Sequence, residues 1–110
     1  MSDSNQAKEL VPYQTKSGKI PFDKWIYGLR DKKTRRRIFR RIFRLQYGHY
    51  GDHRDVGDGV IELRFFFGAG YRVYFGEDGD KLIILLIGGD KKSQNRDIQQ
   101  AKAYWKDYLS

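Results

Sequence analysis

Hydrophobic and polar positions along this chain keep two rhythms. In VIELRFFF, Ile61, Leu63, Phe65 and Phe67 fall on one side and Glu62, Arg64 and Phe66 on the other, the period of two that a strand imposes. GAG then turns the chain into YRVYF, where Arg72 and Tyr74 oppose Tyr71, Val73 and Phe75. GEDGD is a hairpin signal. It leads to KLIILLI, apolar on both sides, as expected of a strand covered on both faces. Nearer the start, ELVPYQT predicts a first strand, with Pro12 marking an edge or an irregular start.

The other rhythm is helical. PFDKWIYGLR predicts a short helix, with Pro21 in its first turn and Phe22, Trp25, Ile26 and Leu29 as its buried stripe. DKKTRRRIFRRIFRLQYG predicts a second, capped by Asp31 and stopped near Gly48, with Ile38, Phe39, Ile42, Phe43 and Leu45 on one side. YGHYGDHRDVGDG is read as a loop. Ser93 or Asp90 caps a last helix in which Ile98, Ala101, Trp105 and Tyr108 repeat at helical spacing. The order β-α-α-β-β-β-α predicts a small α+β sandwich, helices packed on a mostly antiparallel sheet. Residues 1–8 are expected to be a loose tail and 9–110 one domain.

Composition narrows the classes. The 110 residues suffice for a single core, and 39% hydrophobic content supports a globular fold. With no cysteine there is no disulfide framework and no thiolate chemistry. The start is polar, unlike an export signal, and the longest apolar run is far too short to cross a bilayer, so a cytoplasmic protein is expected by elimination.

Charge changes the picture most. The chain carries 22 Lys+Arg against 14 Asp+Glu, for a formal net charge of +8. Nine basic residues and one acid lie between Arg30 and Arg44, so the remaining 13 basic and 13 acidic residues cancel and the whole excess sits in the second helix. Lys33, Arg37, Arg40, Arg41 and Arg44 share one face of it. Like charges on one face repel, so stability does not explain them; a polyanion does, nucleic acid first and an acidic protein second.

One abrupt change of character remains. The apolar run from Leu82 ends in Gly-Gly-Asp-Lys-Lys, which delivers Asp90, Lys91 and Lys92 from the end of a stiff strand, the glycines expected to let the chain turn sharply. An ordinary glycine turn with solvated lysines has the same spacing.

VPYQTKSGKIPFDKWIYGLRD, GDGVIELRF, GAGYRVYF, LLIGGDKKSQNRDI and AKAYWKDY, in that order, carry a resemblance to a known family. The chain resembles the RelE/ParE superfamily of type II toxin–antitoxin toxins, and within it the HigB-like group of addiction module killer, or phage-derived Gp49-like, proteins. The resemblance implies a metal-independent endoribonuclease without cofactor that cuts messenger RNA in the ribosomal A site, a ribose 2′-hydroxyl attacking the adjacent phosphate. It also implies a cognate antitoxin, a helix-turn-helix repressor, with ribosome and mRNA as the other partners; a monomeric free toxin is the working expectation. Arg72 stands where the superfamily has its phosphate-stabilising arginine. Lys91 matches a basic position after the central strand that binds or protonates the scissile phosphate. Asp90 and Lys92 flank it as a base and a second charge. Arg64 reaches the same face or pairs with Glu62 or Asp80. Tyr71 and Tyr74 are discounted as base-stacking residues because hairpin aromatics usually pack.

The pattern departs from the family in one respect. Many ribonuclease members carry a histidine or late tyrosine near the end of the sheet, whereas this chain has only His49 and His53, both ahead of the predicted second strand. The proton-transfer groups are therefore unassigned, and two other readings stand beside the nuclease. One is a ParE-like toxin that poisons DNA gyrase without hydrolysis; the other is a basic RNA-binding module. His49, His53 and Asp52 are too weak a pattern for a metal site.

Overall fold

The structure is a computed structural model that describes residues 7–110, so the first six residues of the expected tail lie outside the described residues. Lys8, assigned to that tail, is tied down: its amide donates to the Gln46 carbonyl at 2.9 Å and its ammonium meets Glu77 at 2.9 Å. The elements are β1 (Glu9–Pro12), α1 (Pro21–Gly28), α2 (Lys32–Leu45), β2 (His53–Gly57), β3 (Val60–Arg64), β4 (Arg72–Asp78), β5 (Leu82–Gly89) and α3 (Gln94–Leu109).

The five strands form one sheet in the order β1-β5-β4-β3-β2, with β1 parallel to β5 and every other pair antiparallel. Helices cover both faces. On one, Phe22 and Ile26 of α1 and Ile38, Ile42 and Leu45 of α2 pack on Leu63, Val73, Phe75, Ile83 and Leu85. On the other, Ala101 and Trp105 of α3 meet Val60, Tyr74, Ile84 and Leu86. Successive residues of β5 thus enter opposite cores, which is why its sequence shows no polar alternation. Pro12 sits on the edge strand, where its missing N–H costs no ladder bond. Asp31 caps α2 by accepting from the Lys33 amide at 3.1 Å.

Three expectations are corrected. The segment read as a loop contains a fifth strand, β2, whose residues are mostly exposed because it is the sheet's other edge. An edge strand with one covered face and few contacts leaves little hydrophobic rhythm. Its hairpin signal was the Asp58-Gly59 pair, both at positive φ (58° and 85°) as a tight primed turn requires. Phe43, placed on the buried side of α2, is 53% exposed; the buried arc is narrower than five residues. Gly88 and Gly89 do not bend the chain either. Both lie within β5, and their work is close approach: a Cβ on Gly88 would come 2.2 Å from the Trp25 ring, and one on Gly89 1.8 Å from the Asp97 carboxylate.

Candidate active site

Antiparallel pairing of β4 with β5 sets Arg72 opposite Gly89, so the chain leaves β5 as Asp90-Lys91-Lys92 beside the start of β4. The Lys91 amide donates to the Ala69 carbonyl at 3.3 Å and fastens this segment to the turn between β3 and β4. Gly68, Ala69, Gly70, Asp90, Lys91 and Lys92 line an open depression of about 600 Å³. Gly70 stands between the two principal candidates. A Cβ there would lie 3.3 Å from Arg72 Nη1 and 3.3 Å from Lys91 Cβ, so the guanidinium and the base of the lysine side chain flank one residue. Lys91 and Lys92 are exposed.

Arg72 is mostly buried, its side chain 13% exposed, and it is held from below. Nη1 donates to the Gly70 carbonyl at 2.5 Å. Among the described residues its buried Nε has no hydrogen-bond partner and lies 3.8 Å from the Glu62 carboxylate, an ion-pair distance, not a hydrogen bond. Glu62 is fully buried on β3 and accepts from Tyr74 Oη, Gln94 Nε2 and Arg54 Nε, each at 3.0 Å. Burial pushes its pKa up, but the bonds from Gln94, Arg54 and Tyr74 outweigh burial and hold it below the ordinary glutamate range. The phenol of Tyr74 moves the other way, raised strongly by burial and by the Glu62 charge.

Asp97 adds a second carboxyl at the first turn of α3. It is buried, accepts from Ser93 Oγ, and burial raises its pKa against the lowering effect of that bond. Asp90 is committed to the turn: Oδ1 accepts from the amides of Lys92 at 2.9 Å and Ser93 at 3.1 Å.

The remaining candidates divide. Arg64 is the cross-strand neighbour of Arg72 in the backbone register. Its guanidinium nevertheless forms a two-pronged pair with Asp52, at 3.0 and 3.2 Å, and neither Glu62 nor Asp80 is its partner. On α2, Lys33, Arg37, Arg40 and Arg44 are exposed, and Arg37 stacks 3.7 Å over the Phe67 ring. Arg41 behaves differently. It is partly buried, donates to the carbonyls of Arg64, Tyr50 and Asp52, and braces the loop ahead of β2. His53 Nδ1 faces the Gly51 carbonyl at 2.8 Å, and among the described residues no group of three or more His, Cys, Asp or Glu side chains is arranged to hold a metal ion.

Sequence reasoning missed the roles of Glu62, which falls on the side of β3 opposite the apolar stripe, and of Asp97, which lies one turn before Ala101 on the apolar face of α3. It also missed Phe66, 82% exposed two residues before the Gly68–Gly70 turn. Tyr71 and Tyr74, discounted for stacking, do pack: Tyr71 against Trp25 and Phe67, and Tyr74 in the α3 core.

Fold and cleft define a small basic α+β domain that presents cations at one end of a sheet. Over residues 24–106 the chain matches the family described as Phage derived protein Gp49-like, and it belongs to that family. The family is one of addiction-module killer, HigB-like toxins, the group the sequence resemblance indicated, so an antitoxin is the partner the family implies. An uncharacterized protein of Haemophilus influenzae is 47% identical over 83 residues, 76% of this chain and 84% of the relative. Among the described residues no helix is long and apolar enough to cross a membrane.

Proposed function

We propose that this protein is the toxin of a type II module and cuts messenger RNA in the ribosomal A site by metal-independent transesterification. The observation that supports the reading is that Arg72 Nη1 and Lys91 Cβ both flank Gly70, which with Lys91 lines the open depression of about 600 Å³. In the reaction the ribose 2′-oxygen attacks the adjacent phosphorus as its proton leaves, and the bond to the 5′-oxygen breaks. The products are a 2′,3′-cyclic phosphate and a 5′-hydroxyl that has taken up a proton.

Arg72 meets the charge that grows on the non-bridging oxygens, where a fixed planar fork acts best. Lys91 neutralises or protonates the leaving oxygen. Lys92 adds charge at the rim, and Asp90 shapes the turn that aims both lysines. The exposed cations of α2 grip ribosomal RNA, so cleavage is expected to be weak on naked RNA and strong on translating ribosomes. The partner is a helix-turn-helix antitoxin that offers acidic surface to this basic chain.

A second reading has one observation in its favour. Arg72 is tied to Gly70 and lies near Glu62, as a purely structural arginine would be, which suits a gyrase poison that needs no catalytic guanidinium. Primer extension on a message during induced expression separates the two. Discrete ends phased to the A site support the nuclease; full-length transcripts with inhibited supercoiling overturn it in favour of gyrase.

A further inference from the structure

Away from the cleft, the exposed side of α2 carries a feature that the basic face does not account for. Tyr27 is 67% exposed and Phe43 53% exposed, and with Phe39, Arg36 and Arg40 they line a groove of about 470 Å³. Phe39 and Phe43 are stacked, their centroids 5.8 Å apart and planes at 23°, while Tyr27 leans on Phe39 at 6.3 Å and 44°. Leaving two such rings in water forfeits the burial that would otherwise stabilise the fold. Among the described residues the chemistry of the lining is narrow: three flat rings and two guanidiniums, with no aliphatic side chain and no carboxylate. A groove that seats an amphipathic protein helix wants aliphatic walls, whereas flat rings beside phosphate-binding forks suit unstacked bases.

Continuity points the same way. Arg40 belongs both to this groove and to the face with Lys33, Arg37 and Arg44. Arg37 in turn stacks on Phe67, one residue before the Gly68 that opens the cleft. The basic face of α2 therefore adjoins the groove through Arg40 and reaches, through Arg37, the residue next to the cleft.

We propose that the groove between α1 and α2 is a second RNA site, in which an unpaired base stacks against Phe43 and Tyr27 while Arg36 and Arg40 hold its flanking phosphates. This rests on the RNA-directed reading above and adds a contact outside the cleft. The probe is a fluorescent 12-nucleotide single-stranded RNA and the same oligomer with abasic positions, bound by the Arg72→Ala chain so that cleavage does not interfere. Tyr27→Ala with Phe43→Ala is expected to weaken binding of the base-bearing oligomer about tenfold. The abasic oligomer should bind both chains alike, and the ring-keeping pair Tyr27→Phe with Phe43→Tyr should restore affinity. Thermal unfolding of each variant verifies the fold.

Equal binding by the alanine double variant overturns the groove while leaving the RNA reading intact. So does loss of antitoxin binding with RNA affinity unchanged, which would make the groove a protein interface. No binding of either oligomer by the parent chain also overturns it, and only if messages stay uncut in cells does the function proposed above fall with it.

Discussion

Replacing Glu62 by glutamine keeps the side-chain volume and removes one buried charge. The structure makes that charge the meeting point of Tyr74, Gln94 and Arg54, with the mostly buried Arg72 at 3.8 Å. Without it, the Arg72 guanidinium lies in low dielectric with no counter-charge, a condition that costs about 3–5 kcal/mol when one partner of a buried pair is removed. Arg54 adds little to this figure, since its side chain is 50% exposed and water screens it. Against a total stability of about 5–15 kcal/mol, the loss is a large fraction. At about 4 °C per kcal/mol it lowers Tm by roughly 12–20 °C.

Tyr74→Phe is the calibrating variant. It removes one bond to the carboxylate but no charge, and should cost about 1.5–3 kcal/mol. Urea unfolding followed by the fluorescence of Trp25 and Trp105 reads both variants. The pH dependence has a definite sign. The folded-state pKa of Glu62 is depressed, so its contribution is present above the unfolded value of a glutamate and is lost as pH falls through the folded pKa. The gap between parent and Glu62→Gln should therefore be widest near neutrality and close on acidification. A Glu62→Gln chain within about 1 kcal/mol of the parent, or a gap that does not narrow in acid, refutes the reasoning.

Other outcomes follow from single contacts. Arg41→Ala should destabilise by about 2–3 kcal/mol by stranding the carbonyls of Arg64, Tyr50 and Asp52, while Arg44→Ala stays within about 0.5 kcal/mol of the parent in the same urea titration. Gly88→Ala forces a methyl into the Trp25 ring and should cost at least about 1–3 kcal/mol, with a shift in tryptophan emission. Asp97→Asn works in the opposite sense to Glu62→Gln. Burial raises the folded pKa of Asp97, so its ionised form opposes folding, and the variant should gain on the parent as pH rises through that pKa and match it in acid. Stability curves from pH 3 to 8 would show it.

How much of this was legible in the chain depends on what each residue faces. The strands with a buried side announced themselves: Ile61, Leu63 and Phe65 keep a period of two because one core takes all three, and Leu82–Ile87 has no period because two cores share it. β2 was hidden because its outer edge meets water, so His53, Arg54 and Asp55 carry no hydrophobic signature. The second helix was readable in register but not in width, and Phe43 fell just outside the buried arc. Nor does a one-dimensional face distinguish Arg41, which bends inward to three carbonyls, from Arg44, which stays outside. In the cleft, Arg72 and Lys91 entered through the family resemblance, and the β4–β5 register that sets Arg72 opposite Gly89 is what brings the two segments side by side. The carboxylate beneath Arg72 was not legible, because a glutamate inside an alternating strand looks like any solvent-facing residue until the other sheet face is known to carry α3.

The most direct test of the account is single-turnover cleavage of a ribosome-bound message by the parent chain, Arg72→Lys and Lys91→Ala, with the product ends identified chemically. The account predicts a 2′,3′-cyclic phosphate and a 5′-hydroxyl from the parent, and losses of about 10²–10³ in rate for each variant, both folded. Cleavage at the parent rate by either variant, or ends of a different chemistry, would contradict the claim that the two cations act on one phosphate.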